Sequence, residues 1–146
     1  KNMKQTLRTN QTQVEYEQSM TNERAQGWRR CYLCSAKTVK EFGDWKIVEN
    51  EYPYDKIAET HHMLTLKRHL DRPLTQQVKY ELENTIRPYL HQHYDMIFEN
   101  TIKTKSIPGH HHLHMITLKD HLPAQPATAS RTVISTQNSS EVAEAD

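Results

Sequence analysis

The segment His110-His111-His112-Leu113-His114-Met115-Ile116-Thr117-Leu118 constrains this chain more than any other. Its apolar and β-branched residues predict an extended strand, and in a strand alternate side chains share a face. His110, His112 and His114 then line one surface, with neighbours about 6.5–7 Å apart along the strand. His111, Leu113 and Met115 point the other way. Each imidazole carries two ring nitrogens that need partners, so three on one face make a poor packing surface and a good chemical one.

The rest of the chain supplies a sheet for that strand. Trp45 to Asn50 reads as a short strand, followed by the turn-prone Tyr52-Pro53-Tyr54-Asp55. His61 to Lys67 reads as a second strand with both faces partly covered. Thr75 is placed to cap a helix whose apolar positions are Val78, Leu82, Ile86 and Tyr89 or Leu90, and Pro88 is expected to kink or end it. Tyr94 to Asn100 reads as a strand with Tyr94, Met96 and Phe98 on one face. Residues 101–109 read as a loop, and His110 to Leu118 as the last strand. Strands interrupted by one good helix predict an α+β domain, an antiparallel β-sheet packed with helices.

Composition sets the limits of that domain. Apolar residues make up 35% of the chain, low for uniform packing. The stretch 123–146 has no Leu, Met, Phe, Tyr or Trp and is expected to be a disordered C-terminal tail, unable to offset its chain entropy by burial. Residues 1–27 form a polar arm with weak helical periodicity, leaving 28–122 as the folded domain. With 19 Lys and Arg against 18 Asp and Glu, the net charge is +1, which gives no footprint for duplex nucleic acid. No apolar run approaches the roughly 18 residues of a spanning helix, and no signal-peptide core stands at the N-terminus. No membrane association is expected, and a cytoplasmic location is the default.

Cys31 and Cys34 are the only cysteines. Two intervening residues suit a structural disulfide poorly; in a reducing compartment that spacing marks a metal half-site or a redox pair. Two small buried hydrophobes are the plainer reading. The histidine strand points to attack on phosphorus. Near neutral pH an imidazole is largely unprotonated, so a ring nitrogen is a nucleophile without a strong base, and flanking imidazoles can donate hydrogen bonds where charge develops. A metal-chelating histidine run is the competing reading. His91, His93 and His121 read as solvated residues, His62 as facing away from His61, and Lys67 and Arg68 as an exposed basic pair.

His110-His111-His112-Leu113-His114-Met115-Ile116 resembles the signature of the histidine-triad (HIT) family, His-x-His-x-His-x-x with apolar x. Thr60-His61-His62-Met63-Leu64-Thr65-Leu66-Lys67-Arg68-His69 is similar to that family's segment of a His, an apolar strand and a basic pair ending in His. Asn50-Glu51-Tyr52-Pro53-Tyr54 resembles the Asn-x-Tyr-Pro-Tyr stretch of the nucleotidyltransferase branch, which includes galactose-1-phosphate uridylyltransferase and diadenosine tetraphosphate phosphorylases. Cys31-x-x-Cys34 fits the zinc-bearing members. The resemblance spans residues 28 to 118.

It implies a HIT-like fold and a catalytic set of His112, His114 and His61. His112 would attack the α-phosphate to form a nucleotidyl-histidine, His114 would contact the phosphate, and His61 would orient the nucleophile. Asn100 would bind the ribose or phosphate region, and Asn50 and Tyr54 would line the nucleoside pocket. Cys31, Cys34, His69 and His110 would hold one structural zinc ion per chain, because four thiolate and imidazole ligands with no open position mark such a site. Homodimers are common in the family, though the sequence marks no interface.

The sequence departs from the pattern in three places. His111 stands where an apolar residue is usual. Ser106-Ile107-Pro108-Gly109 replaces Gly-Gln-Ser, with Ser106 as the substitute hydroxyl donor. The loop from Tyr54 to His61 is longer than in the nucleotidyltransferases. The function expected is that of a nucleotide hydrolase or nucleotidyltransferase acting on a nucleoside 5'-phosphate derivative, a phosphoramidate or a dinucleoside polyphosphate. A non-catalytic nucleotide-binding module and a histidine-rich metal-binding protein are the alternatives.

Overall fold

Strand alternation organises the structure, a computed structural model that describes residues 6–26, 31–69, 73–103 and 110–119. Five strands, β1 (Thr38–Glu41), β2 (Trp45–Glu49), β3 (Ala58–Leu66), β4 (Met96–Phe98) and β5 (His112–Leu118), form one antiparallel sheet in the order β1-β2-β3-β5-β4. The helices are α1 (Asn10–Ala25), α2 (Tyr32–Ser35), α3 (Gln76–Glu81) and α4 (Arg87–His93), with a π-helical turn, Leu82–Ile86, joining the last two. The α+β antiparallel class expected from the sequence is what forms.

The two faces of the sheet have different contents. On one, Trp45, Ile47, Leu64, Leu66 and Met115 pack against Val78, Leu82, Ile86 and Leu90 of the helical layer, all of them buried. These helix positions recur every four residues, so a single stripe meets the sheet. Trp45 is fully buried and spends its indole N–H on the carbonyl of Val78 at 3.2 Å. On the other face, Val48 and Met63 pack against Leu33 of α2. Opposed residues share a face: Met63 pairs with His114, Thr65 with His112 and Lys46 with Thr65. The helix-covered face is therefore the core, and the opposite face at β3 and β5 carries the polar side chains.

Three expectations need correction, and one strand has no signal in the sequence. Pro88 does not end the helix, which continues to His93. Its ring has no N–H and would crowd the carbonyl four residues back. The π turn just before it, where the Arg87 N–H bonds to the Leu82 carbonyl, relaxes that register. The strand expected over 94–100 is reduced to Met96–Phe98, with Tyr94 ending α4. The last strand begins at His112, and His110 lies in a bend before it. β1 was not anticipated, because all four of its residues are exposed and leave no alternation to read. It is held by pairing with β2, and the turn between them is held by Glu81, whose carboxylate accepts from the Asp44 N–H. That carboxylate lies 2.5 Å from where a Cβ on Gly43 would stand, so any larger residue there would push the Glu81 carboxylate off the turn.

The polar arm contains a real helix. Thr9 caps α1, accepting from the Thr12 N–H, yet α1 buries no residue. It is anchored through Asp55, whose carboxylate accepts from the Thr9 N–H at 2.7 Å, the Thr9 hydroxyl at 2.9 Å and the Thr12 hydroxyl at 2.6 Å. Burial raises the Asp55 pKa, but the bonds from Thr12 and Thr9 outweigh it and hold the carboxyl below its ordinary value. The Lys56 N–H adds a bond to the Leu7 carbonyl. Among the described residues no helix is long and apolar enough to cross a membrane. The tail expected over 123–146 lies outside the described residues.

Candidate functional site

Two clusters meet on the polar face, joined at the start of β5. The first is made by Cys31, Cys34, His69 and His110, whose donor atoms all lie within 4.8 Å of one another. The His110 Nε2 is 2.8 Å from the Leu66 carbonyl. A carbonyl can only accept, so Nε2 carries the proton and Nδ1 presents its lone pair. That Nδ1 lies 3.3 Å from the Cys31 sulfur and 3.8 Å from the Cys34 sulfur. The His69 Nε2 is 3.2 Å from the Cys34 sulfur.

The donor set fits a tetrahedral cation. Bonds of about 2.0–2.3 Å to nitrogen and sulfur require ligand–ligand edges of roughly 3.3–3.8 Å, and the separations above fall at or beside that range. A metal-ligating imidazole usually donates its second N–H to a carboxylate or carbonyl, as His110 does to Leu66. Burial, and then the neighbouring Cys31, push the Cys34 thiol above its ordinary value, a cost that a bound cation reverses by stabilising thiolates. His110 is buried, and burial lowers its pKa against the opposing effect of the Leu66 bond. Thiol-to-imidazole hydrogen bonds alone explain the Cys31 contact, but they do not account for four donors converging from segments dozens of residues apart. The group is one that could hold a metal ion.

The second cluster contains His61, His112 and His114, all buried. The His112 Nδ1 lies 2.7 Å from the carbonyl of His110. By the same reasoning Nδ1 carries the proton, so in the neutral ring the lone pair resides on Nε2. A chain of bonds fixes the other two rings. The Tyr54 N–H donates to the His61 Nδ1 at 3.0 Å, leaving the His61 proton on Nε2. That atom faces the His114 Nδ1 at 2.8 Å and the Asn50 Nδ2 at 3.3 Å. Asn50 is oriented by its Oδ1, which accepts from the Tyr52 N–H at 3.0 Å. The proton therefore goes to His114, the nearer group and the one with a lone pair to offer. A neutral His114 then carries its own proton on Nε2 and is a donor there.

This order holds only while His61 is neutral. Burial, then the Arg8 guanidinium, then His62 push its pKa down to about 4, so protonating it in the fold costs about 3 kcal/mol more than in water.

Aromatic rings frame the cluster. Phe98 and Tyr54 lie nearly parallel to His114, at centroid distances of 5.1 and 5.8 Å and interplanar angles of 9° and 15°. Tyr54 also sits 4.6 Å from His61. The Asn100 Nδ2 donates to the Tyr54 hydroxyl at 3.2 Å.

Thus the structure brings together His61, His114, Asn50, Tyr54 and Asn100 through direct contacts, with the His112 ring 5.4 Å from that of His114. Cys31, Cys34, His69 and His110 assemble as the separate cluster. Ser106 lies outside the described residues. His112 and His114 share the polar face of β5, while His110, in the bend before the strand, turns its ring to the cysteines. His111 is exposed and packs edge-on against Trp45 at 5.6 Å, which explains a polar residue at a back-face position. His62 turns to the helix side and meets the Tyr94 hydroxyl at 2.7 Å.

Sequence reasoning missed Arg8 and the Leu66 carbonyl. Arg8 gave no signal because it lies in a weakly periodic arm 44 residues from the carbonyl it binds. A backbone carbonyl has no sequence signature at all. Comparison with protein-family models, curated proteins and solved structures gives no match.

The titration of His61 has a measurable consequence. Its folded pKa lies below the ordinary 6.5, so the unfolded chain binds the extra proton between those values. Stability from this group should be complete above pH 6.5 and fall as pH drops towards 4. NMR titration should find the His61 ring still neutral at pH 5.5. A midpoint near 6.5 would contradict the burial described.

Proposed function

We propose that the chain is a HIT-type nucleotide hydrolase or nucleotidyltransferase, with His112 as the nucleophile and a nucleotidyl-histidine as its intermediate. The observation that carries this reading is the bond from the His112 Nδ1–H to the His110 carbonyl at 2.7 Å. It places the lone pair on the opposite nitrogen, which is what in-line attack on phosphorus requires.

In the proposed reaction the His112 Nε2 forms a bond to the α-phosphorus. The bond from phosphorus to the leaving group breaks, and the leaving atom keeps the electron pair. The His112 ring becomes cationic, and the bond from Nδ1 to the carbonyl stabilises that charge. His114 donates from Nε2 to a phosphoryl oxygen or to the leaving atom, where negative charge develops. His61 holds His114 in the tautomer that can donate. Water, or a second nucleophile in a transferase, then attacks phosphorus and gives up its proton to solvent, the P–Nε2 bond breaks, and its electron pair returns to His112, which is neutral again. Asn50, Tyr54 and Asn100 are the proposed nucleoside-side residues, and they form one continuous hydrogen-bonded and stacked wall with His61 and His114.

We assign zinc to the cluster of Cys31, Cys34, His69 and His110, one ion per chain. Two thiolates and two imidazoles suit zinc over harder cations, and four protein ligands leave no open position, so its contribution would be structural. His110 would be immobilised at its ring by the ligand set, and its carbonyl is the one that orients His112.

Replacement of the nucleophile is the direct test. His112→Ala should lower turnover of adenosine 5'-phosphoramidate or diadenosine tetraphosphate by more than about 10³-fold while nucleotide binding and fold persist. The wild-type protein should show a nucleotidyl mass adduct at His112 after brief incubation. Undiminished turnover in the variant would remove the mechanism, and binding without turnover in the wild type would favour the non-catalytic module.

Metal analysis of untagged protein should return about one zinc per chain. Cys31→Ser/Cys34→Ser should lose the zinc and lower the melting temperature, since metal-binding energy at such a site is folding energy. Well under one equivalent in the wild type would contradict the zinc assignment.

A further inference from the structure

Arg8 is a cation that the fold fixes in place. Its Nε donates to the Tyr52 carbonyl at 2.8 Å, and its guanidinium carbon lies 4.0 Å from the ring centre of Tyr16 and 4.9 Å from that of Tyr54. Both are cation–π distances. Among the described residues Arg8 has no carboxylate partner within ion-pair distance, and its Nη groups bond no acceptor. Asp55, the acidic group at this end of α1, is committed to Thr9 and Thr12.

The surroundings of that cation are donors. The Tyr54 hydroxyl accepts from Asn100, and its own proton has no acceptor among the described residues. The Tyr54 ring packs directly on His61 and His114, and the order of protons described above leaves the His114 Nε2 as a donor. A guanidinium and a phenol therefore meet at one buried aromatic ring, with no anionic side chain bonded to either among the described residues. Arginine planes suit phosphate oxygens because two N–H groups can meet two oxygens at once. Arg8 reaches this place because α1 is clipped to the loop after β2, which gives an otherwise unburied helix a reason to be held.

We propose that Arg8 is an anion-binding residue of the site and takes the phosphoryl group beyond the one under attack. The preferred substrate is then a nucleotide whose leaving group is itself a phosphate, such as a dinucleoside polyphosphate. The inference rests on the proposed role of His112 for the identity of that substrate. When His112 bonds to the α-phosphorus, the bridging P–O bond breaks and its oxygen keeps the electron pair. The departing polyphosphate gains a negative charge that the guanidinium stabilises. A phosphoramidate releases an amine, which develops no such charge to stabilise.

Arg8→Met keeps an apolar stem against the two tyrosines and removes the charge, whereas Arg8→Lys keeps a charge. Arg8→Met should lower kcat/KM for diadenosine tetraphosphate by roughly 10- to 100-fold, with a loss at least tenfold smaller for adenosine 5'-phosphoramidate. Arg8→Lys should recover part of the loss. Inorganic tripolyphosphate should bind the wild type, shift the His61 ring resonances and lose affinity for Arg8→Met by a similar factor. Equal losses on both substrates would assign Arg8 a purely structural role and overturn the proposal, as would tripolyphosphate binding unchanged in Arg8→Met or absent from the wild type. If the wild type turned over neither nucleotide, tripolyphosphate binding lost in Arg8→Met would uphold the anion site while the nucleotidyl-transfer reading fell.

Discussion

The hydrogen bond from the His112 Nδ1–H to the His110 carbonyl is the contact on which the site depends. His110 takes part in two structures at once. Its ring belongs to the group that could hold a metal, with Nε2 bonded to Leu66 and Nδ1 facing two sulfurs. Its backbone carbonyl sets the tautomer of His112 two residues later. Immobilising the ring immobilises the carbonyl, so the cluster that could hold a metal and the proposed nucleophile are coupled through one residue. That coupling gives the cysteines, which touch neither His61 nor His114 in any described bond, a direct route to the proposed chemistry.

The sheet makes this arrangement inexpensive to fold. One face buries Trp45, Ile47, Leu64 and Met115 under the helical layer, and this apolar packing pins the register of β2, β3 and β5. A slip of one residue would exchange the two faces, placing imidazoles in the core and leucines outside. The register that satisfies the core thus presents His61, Met63, Thr65, His112 and His114 together on the other side. Burial there has its own cost, which the ordered chain from the Tyr54 N–H through His61 to His114 offsets by giving both His61 ring nitrogens and the His114 Nδ1 a hydrogen-bond partner.

Much of this was legible because it depends on local periodicity. Alternation in 112–118 places His112 and His114 on one face, and the spacing of Val78, Leu82, Ile86 and Leu90 gives the buried helix stripe. The resemblance to zinc-bearing proteins groups Cys31, Cys34, His69 and His110, and their donor atoms do converge. What could not be read depends on long-range polar contacts or on backbone adjustment. Thr9 and Thr12 meet Asp55 across more than 40 residues, and nothing in a polar arm announces that it will dock. Pro88 is accommodated by a π turn, an outcome that the rule against proline in helices does not contain. β1 carries no buried face, so the period-two signal is absent. Phe98 was placed on the correct strand, but its stacking on His114 follows from the β4–β5 register, which a three-residue strand does not specify by itself.

The central claim concerns where one proton resides. In metal-loaded protein at pH 7.5, long-range 15N–1H correlation of the His112 ring should show a protonated Nδ1 and a pyridine-like, unprotonated Nε2. A ring protonated at Nε2, or at both nitrogens, would leave no lone pair facing away from the His110 carbonyl and would contradict the account.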